Sequence, residues 1–88
     1  MLSRTHLYYI KKEKDRCARV ISARLCRKLG SSTDSLYIKM IKRHMSLELN
    51  QQFGIRRLEQ MEDSLFPEYL EAVPEYRFSY GGKTYPEN

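Results

Sequence analysis

The 88-residue chain contains no tryptophan, two cysteines, three prolines and four glycines. Two cysteines cannot make a disulfide scaffold, and no third or fourth ligand accompanies Cys17 and Cys26 at zinc-like spacing. On one helix their separation corresponds to about 13 Å of rise, too far for an unstrained disulfide, so both are expected as reduced thiols. No apolar run approaches the roughly 18 residues of a membrane-spanning helix. Catalytic signatures are missing as well: there is no G-x-S-x-G, no Walker loop, no HExxH and no pair of carboxylates with an obvious cleft. The expectation is a non-enzyme without a metal or a cofactor.

What is present suits one small core. Hydrophobic residues are 41% of the chain, aromatics 11% and charged residues 31%, with a mean hydropathy of -0.67, which excludes disorder and a multidomain enzyme. The opening MLSRTHLYYIKK has no acid before Glu13, but it lacks both the Ser-rich character of a transit segment and the apolar stretch of a secretory signal. A cytoplasmic or nuclear location, not a secreted one, is expected. The formal charge of +5 divides unevenly: residues 1–57 hold 14 Lys/Arg against 4 acids and residues 58–88 hold 2 against 7, so the halves are +10 and -5. Such asymmetry fits a basic surface for phosphates beside an acidic tail, or two parts that attract each other.

From about Thr5 to Leu29 the residues Leu7, Ile10, Cys17, Ile21, Leu25 and Leu29 recur at three-to-four spacing, which gathers them on one helical face. Gly30 supplies a left-handed stop, and Ser31, Ser32, Thr33 and Asp34 offer caps for a second helix beginning near Ser35. There Leu36, Tyr37, Met40, Ile41, Met45 and Leu47 form a wide apolar arc, with Lys39, Lys42, Arg43, Ser46 and Asn50 on the other side; Gly54 ends it. Ile55, Leu58, Met61 and Leu65 predict a third, shorter helix, and Pro67 opens a last helical turn through Leu70 that Pro74 closes. The tail changes to period two. Tyr76, Phe78 and Tyr80 alternate with Arg77 and Ser79, and Gly81-Gly82 makes a primed turn into Lys83, Thr84 and Tyr85. A lone hairpin is marginal in water, so its aromatics must dock on the helices or on a partner.

The expected fold is therefore mostly α: a three-helix arrangement with a short fourth helical turn and a C-terminal β-hairpin, its first two helices antiparallel. Residues 1–75 make the basic helical domain and 76–88 the hairpin and tail. The predicted core is Leu7, Ile10, Cys17, Ile21, Leu25, Leu29, Leu36, Met40, Ile41, Met45, Leu58, Met61 and Leu65. At about 25 cal/mol per Å² such a core is marginal, so an obligate partner or a homodimer is a natural expectation.

On the first helix Lys12, Arg16, Arg19 and Arg27 fall within one narrow arc, with small Ala23 in the gap before Arg27. With Lys39, Lys42 and Arg43 they form a surface able to track a phosphate backbone and release its counterions, or to meet an acidic protein. A plain solvated face is the alternative, because Glu13 and Asp15 stand at helical pairing distance. A helix-turn-helix is disfavoured, since the first helix is long and the loop after it is not a tight turn. His44 lies in the middle of the second apolar arc with Glu48 one turn on; a general base and its orienting acid have that reach, but a half-buried histidine satisfied by its neighbour is preferred. His6 or His44 with Arg77 and the tail tyrosines suggest a metal-independent ribonuclease toxin, the least favoured reading, because such enzymes use a larger sheet. Met40, Met45 and Met61 read as core filler, and one of the adjacent Tyr8 and Tyr9 is expected to face solvent or a partner.

The segment DRCARVISARLCRKL, Asp15–Leu29, resembles the central helix of the GINS replication-complex subunits through Asp15, Arg16, Val20, Ile21, Ser22, Leu25 and Leu29. DSLYIKMIKRHMSLEL, Asp34–Leu49, is similar to a later helix of that family, with Lys42, Arg43, His44 and Met45 at its basic end. The resemblance implies a non-enzymatic subunit that helps hold a DNA helicase together, packing mainly by helix faces. The functional expectation is thus a small basic helical subunit or regulator acting on DNA or RNA, or in an assembly on it. Its contacts would be Lys12, Arg16, Arg19, Arg27, Lys39, Lys42 and Arg43. The alternative is a protein-interaction subunit or inhibitor bound to an acidic partner; no membrane partner is expected.

Overall fold

A computed structural model describes residues 1–30 and 35–87 of the chain. Ser31, Ser32, Thr33 and Asp34, the cap candidates for the second helix, lie outside the described residues. Helix α1 spans Arg4–Leu29 and α2 spans Ser35–Gln52. Ser3 caps α1, its hydroxyl accepting from the His6 amide at 3.2 Å. Arg27 and Lys28 stand in the last turn, where the helix dipole favours cations. Gly30 closes it at φ 72°, a left-handed conformation in which its amide reaches back to the Arg27 and Cys26 carbonyls. Lys14 meets Ser46 and Asp15 meets Lys42, so advancing along α1 means retreating along α2: the pair is antiparallel.

Among the described residues three helices, short 3-10 turns and a two-stranded C-terminal hairpin are present, as the periodicities indicate. The third helix lies later than its apolar spacing predicts. Residues 55–65 form two 3-10 turns, Leu58–Gln60 and Asp63–Leu65, separated by extended backbone at Met61 and Glu62, and α3 follows at Phe66–Glu75. Spacing of three residues serves a 3-10 turn as well as an α-helix, which is why Leu58 and Met61 are still buried. Pro67 takes the first turn of α3, where its missing N–H is no loss, while Pro74 sits inside the last turn instead of closing it. In the hairpin β1, Phe78–Tyr80, pairs with β2, Lys83–Tyr85, in the register Phe78 to Tyr85 and Tyr80 to Lys83. Gly81 and Gly82 have φ of 59° and 79°, the two positive values of a type I′ turn.

One core joins all of these elements. Ile10, Cys17, Ala18, Ile21 and Leu25 of α1 meet Ile38, Ile41, Met45 and Leu49 of α2, with Tyr69 and Val73 of α3 and Phe78 and Tyr85 of the hairpin. Both cysteines are buried and free. Leu7, Met40 and Leu65 are half-buried against this cluster. Two expected core residues are not in it: Leu29 is exposed on the final turn of α1, and Leu36 is 70% exposed. Leu47, placed in the apolar arc by its spacing, is exposed too. α2 is covered along a narrow stripe only; Leu36 and Leu47, about 20° apart at 100° per residue, point away from it. Tyr8 and Tyr9 are both exposed, not one of them, and meet edge to face at 5.6 Å. Among the described residues no helix is long and apolar enough to cross a membrane.

Candidate nucleic-acid interface

The side of α1 turned away from the core carries Lys12, Arg16, Arg19 and Arg27, all exposed. Helical spacing puts them there: the core stripe takes Ile10, Cys17, Ile21 and Leu25, and the four cations occupy the opposite arc. Arg16 grips Glu13 in bidentate fashion, Nε to Oε1 at 2.6 Å and Nη2 to Oε2 at 3.1 Å, and these bonds hold the Glu13 carboxyl below its usual range. Asp15 accepts from Arg19 Nε at 2.7 Å and from Lys42 Nζ at 3.1 Å, tying α1 to α2, and the Arg19 bond followed by the Lys42 bond lowers its carboxyl. Even so, the Arg16 and Arg19 side chains stay 60% and 63% exposed. Exposed pairs of this kind are worth about 1 kcal/mol at most and weaken in salt, so an incoming phosphate competes with the carboxylates readily.

The seven predicted contact residues do not form one stripe. Lys12, Arg16 and Arg19 share an open groove of about 610 Å³ with Tyr9, Glu13, Asp15 and Leu70. Lys12 also lies over the Tyr8 ring, 5.8 Å from its centroid. Arg27 stands further along α1 with Arg24, Lys28 and Glu87 around a smaller depression. Lys39 and Arg43 are exposed on α2. Lys42 faces a separate pocket between α1 and α2, beside Lys11, Lys14 and Ser46. Among the described residues Arg27, Lys39 and Arg43 have no carboxylate partner.

His44 is exposed, not set in the apolar face of α2, and its ring tilts against Phe78 at 5.7 Å. Glu48 turns instead to Tyr76, whose hydroxyl is pushed up by burial and further by that carboxylate. His6 Nδ1 bonds Asp63 Oδ1 at 2.8 Å and its ring stacks on Phe66 at 3.8 Å. Asp63 also accepts from the Ser3 amide at 2.9 Å, and that bond, with His6 second, lowers its carboxyl. Arg77 Nη1 donates to the Pro74 and Tyr76 carbonyls at 3.0 and 3.1 Å. His6, His44 and Arg77 are thus each engaged in a different place. Among the described residues no three of His, Cys, Asp and Glu gather as metal ligands.

Lys14 had no place among the expected core or contact residues, and it is the one charged residue buried among the described residues, at 6% exposure. Its Nζ donates to Ser46 Oγ at 3.1 Å and lies 4.9 Å from the centroid of the Tyr69 ring. The Tyr69 hydroxyl donates to Asn50 Oδ1 at 2.8 Å, and Asn50 Nδ2 donates to the Arg56 carbonyl at 3.3 Å. Burial pushes the Lys14 ammonium down to about 8, with Glu59 opposing and Lys11 adding to the shift. The signal was in the sequence: Lys14 stands four residues after Ile10 and three before Cys17, inside the apolar stripe. Comparison of the chain with protein-family models, curated proteins and solved structures finds no match.

Proposed function

We propose that the chain is a non-enzymatic basic helical subunit or regulator that acts on nucleic acid, or within an assembly bound to it. The outer face of α1 carries this reading: Lys12, Arg16, Arg19 and Arg27 stand exposed on one arc while the packed stripe faces the other way. Guanidinium groups suit the paired oxygens of a phosphate, and the exposed Tyr8 and Tyr9 rings beside Lys12 offer surfaces for unstacked bases. Glu13 and Asp15 keep Arg16 and Arg19 laid along the helix surface, from which phosphate oxygens displace them at little loss. The resemblance of Asp15–Leu29 and Asp34–Leu49 to GINS helices leads toward a replication-complex-like assembly in the nucleus or cytoplasm. A second reading, an acidic protein partner, draws support from Leu36 and Leu47, which stand exposed on the outer side of α2 near Lys39 and Arg43.

The test is retention on generic DNA and RNA probes across a salt series. Binding at low salt should fall with a log–log slope of about 0.9 per duplex phosphate contacted, and replacing Lys12, Arg19 and Arg27 by Ala should flatten it. Absence of retention at low salt overturns the nucleic-acid reading. Co-purification from the native source, with and without nuclease, then separates the two: a complex that survives nuclease intact favours the acidic protein partner.

A further inference from the structure

We propose that the pocket between α1 and α2, built on Lys14, binds a dianionic phosphomonoester, supplied either by a small phosphorylated molecule or by the terminal phosphate of a nucleic-acid strand. Lysine is almost never fully buried unless paired, yet Lys14 has no carboxylate within ion-pair distance among the described residues. Of the three N–H donors of its ammonium, one reaches Ser46 Oγ, and the Tyr69 ring face lies on another side. Glu59 offsets its charge in part from beyond ion-pair distance, and the pocket it lines is open to an anion.

That pocket has a volume of about 350 Å³ and is walled by Lys11, Lys14, Lys42, Ser46, Asn50 and Leu58. Three lysines, a serine and an asparagine line it with one apolar residue, and no carboxylate is in the wall; Lys42 is held by Asp15, which lies outside it, and Glu59 acts on Lys14 from beyond the wall. Taking an ammonium out of water is costly, and an anion entering beside it recovers attraction in a site where water screens poorly. With Lys42 already paired to Asp15, Lys11 and Lys14 are the two cations left to an entering anion, and two charges favour a dianion over a carboxylate or an internal phosphodiester, each of which carries one. A recess between two helices also admits the end of a strand, whereas the middle of one runs along a ridge. The site is distinct from the groove of the proposed nucleic-acid face: the two walls share no residue, and the Asp15–Lys42 pair stands between them.

The groups facing Lys14 are Lys11 on its own helix, Lys42 and Ser46 on α2, Glu59 in the 3-10 turn and Tyr69 on α3. Because burial lowers the ammonium to about 8, a bound dianion should draw a proton onto it above that pH. The full chain is titrated with inorganic phosphate, adenosine 5′-monophosphate, and one oligonucleotide carrying a 5′-phosphate or a 5′-hydroxyl. Affinity is followed by calorimetry and the Lys14 ammonium by NMR. Phosphate or the mononucleotide should move the Lys14 titration midpoint up by about one pH unit or more, and Lys14→Met should weaken binding about tenfold. Ser46→Ala and Lys11→Gln, which leave the buried lysine in place, should each weaken it about threefold. Tighter binding of the 5′-phosphorylated strand identifies a strand end as the source; mononucleotide binding without that gain identifies a small molecule. A Lys14 midpoint unmoved by millimolar phosphate and mononucleotide overturns the site, as does a folded Lys14→Met chain that binds as the parent does. The midpoint is read on the unaltered protein, so a variant that fails to fold does not spare the proposal. Salt-sensitive probe binding that persists while the midpoint stays still removes this site alone.

Discussion

At the scale of single residues, Lys14 shows how position on a helix outweighs chemical type. A lysine stem is long enough to lie along apolar surface, and here its head rests between Ser46 and the Tyr69 ring instead of reaching bulk water. The folded ammonium titrates near 8 and the unfolded one near 10.5, so between those values the unfolded chain binds more protons than the fold and stability rises with pH. Below pH 8 both forms are charged and the fold carries the full burial penalty. In Lys14→Met that rise disappears: denaturant unfolding of parent and variant at neutral and strongly alkaline pH should differ by on the order of 3 kcal/mol between the two conditions. An identical pH dependence in the two proteins would show that Lys14 titrates as an ordinary surface lysine. Arg16 and Arg19 make the opposite case, since their pairing partners stand on the same helix and were readable from spacing.

At the scale of elements, the parts set by local chemistry were legible and those set by neighbours were not. The end of α1 at Gly30 and the I′ turn at Gly81 and Gly82 follow from positive φ, which costs a side chain dearly and glycine nothing. Gly82→Val should accordingly cost about 1–2 kcal/mol, seen as a lower denaturant midpoint, while Gly81→Asn should be tolerated. A Gly82→Val chain as stable as the parent would mean that the hairpin contributes little. The segment from Ile55 to Leu65 misled for a physical reason: its apolar residues are buried, but at a spacing shared by α and 3-10 geometry, and extended backbone at Met61 and Glu62 breaks any longer helix. Tyr69, buried under Lys14 at the centre of α3, stands with Phe66, Leu70 and Val73 at i, i+3, i+4 and i+7, a repeat that the short turn expected from Pro67 to Leu70 cut off.

At the scale of the whole molecule, the hairpin finishes the core instead of hanging from it. Tyr76, Phe78 and Tyr85 are buried in the same cluster as Ile10 and Ile41. Removing residues 76–88 exposes the surface they cover and takes away three buried aromatic side chains, a loss on the order of 5 kcal/mol, comparable to the entire stability of a small domain. A chain ending at Glu75 should lose its cooperative thermal transition; a sharp melt near that of the full chain would show that the helices hold without the tail. Apart from the His6–Asp63 contact, the two oppositely charged halves do not pair with each other among the described residues. Among the described residues no Lys or Arg before residue 58 makes an ion pair with an acid beyond it, and the carboxylates that engage the cation arc are Glu13 and Asp15 from the basic half itself.

The amino-acid order by itself determined the mostly helical class, the limits of the first two helices, the hairpin and the arc of Lys12, Arg16, Arg19 and Arg27, because periodicity, capping and turn chemistry act within a few residues. Tertiary structure decided which sides of those helices are covered. It exposed Leu36, Leu47 and His44, and sent Lys42 to a different pocket from Arg16. Those outcomes depend on where α3 and the hairpin dock, and docking is settled by contacts between residues distant in the chain, which no local pattern records.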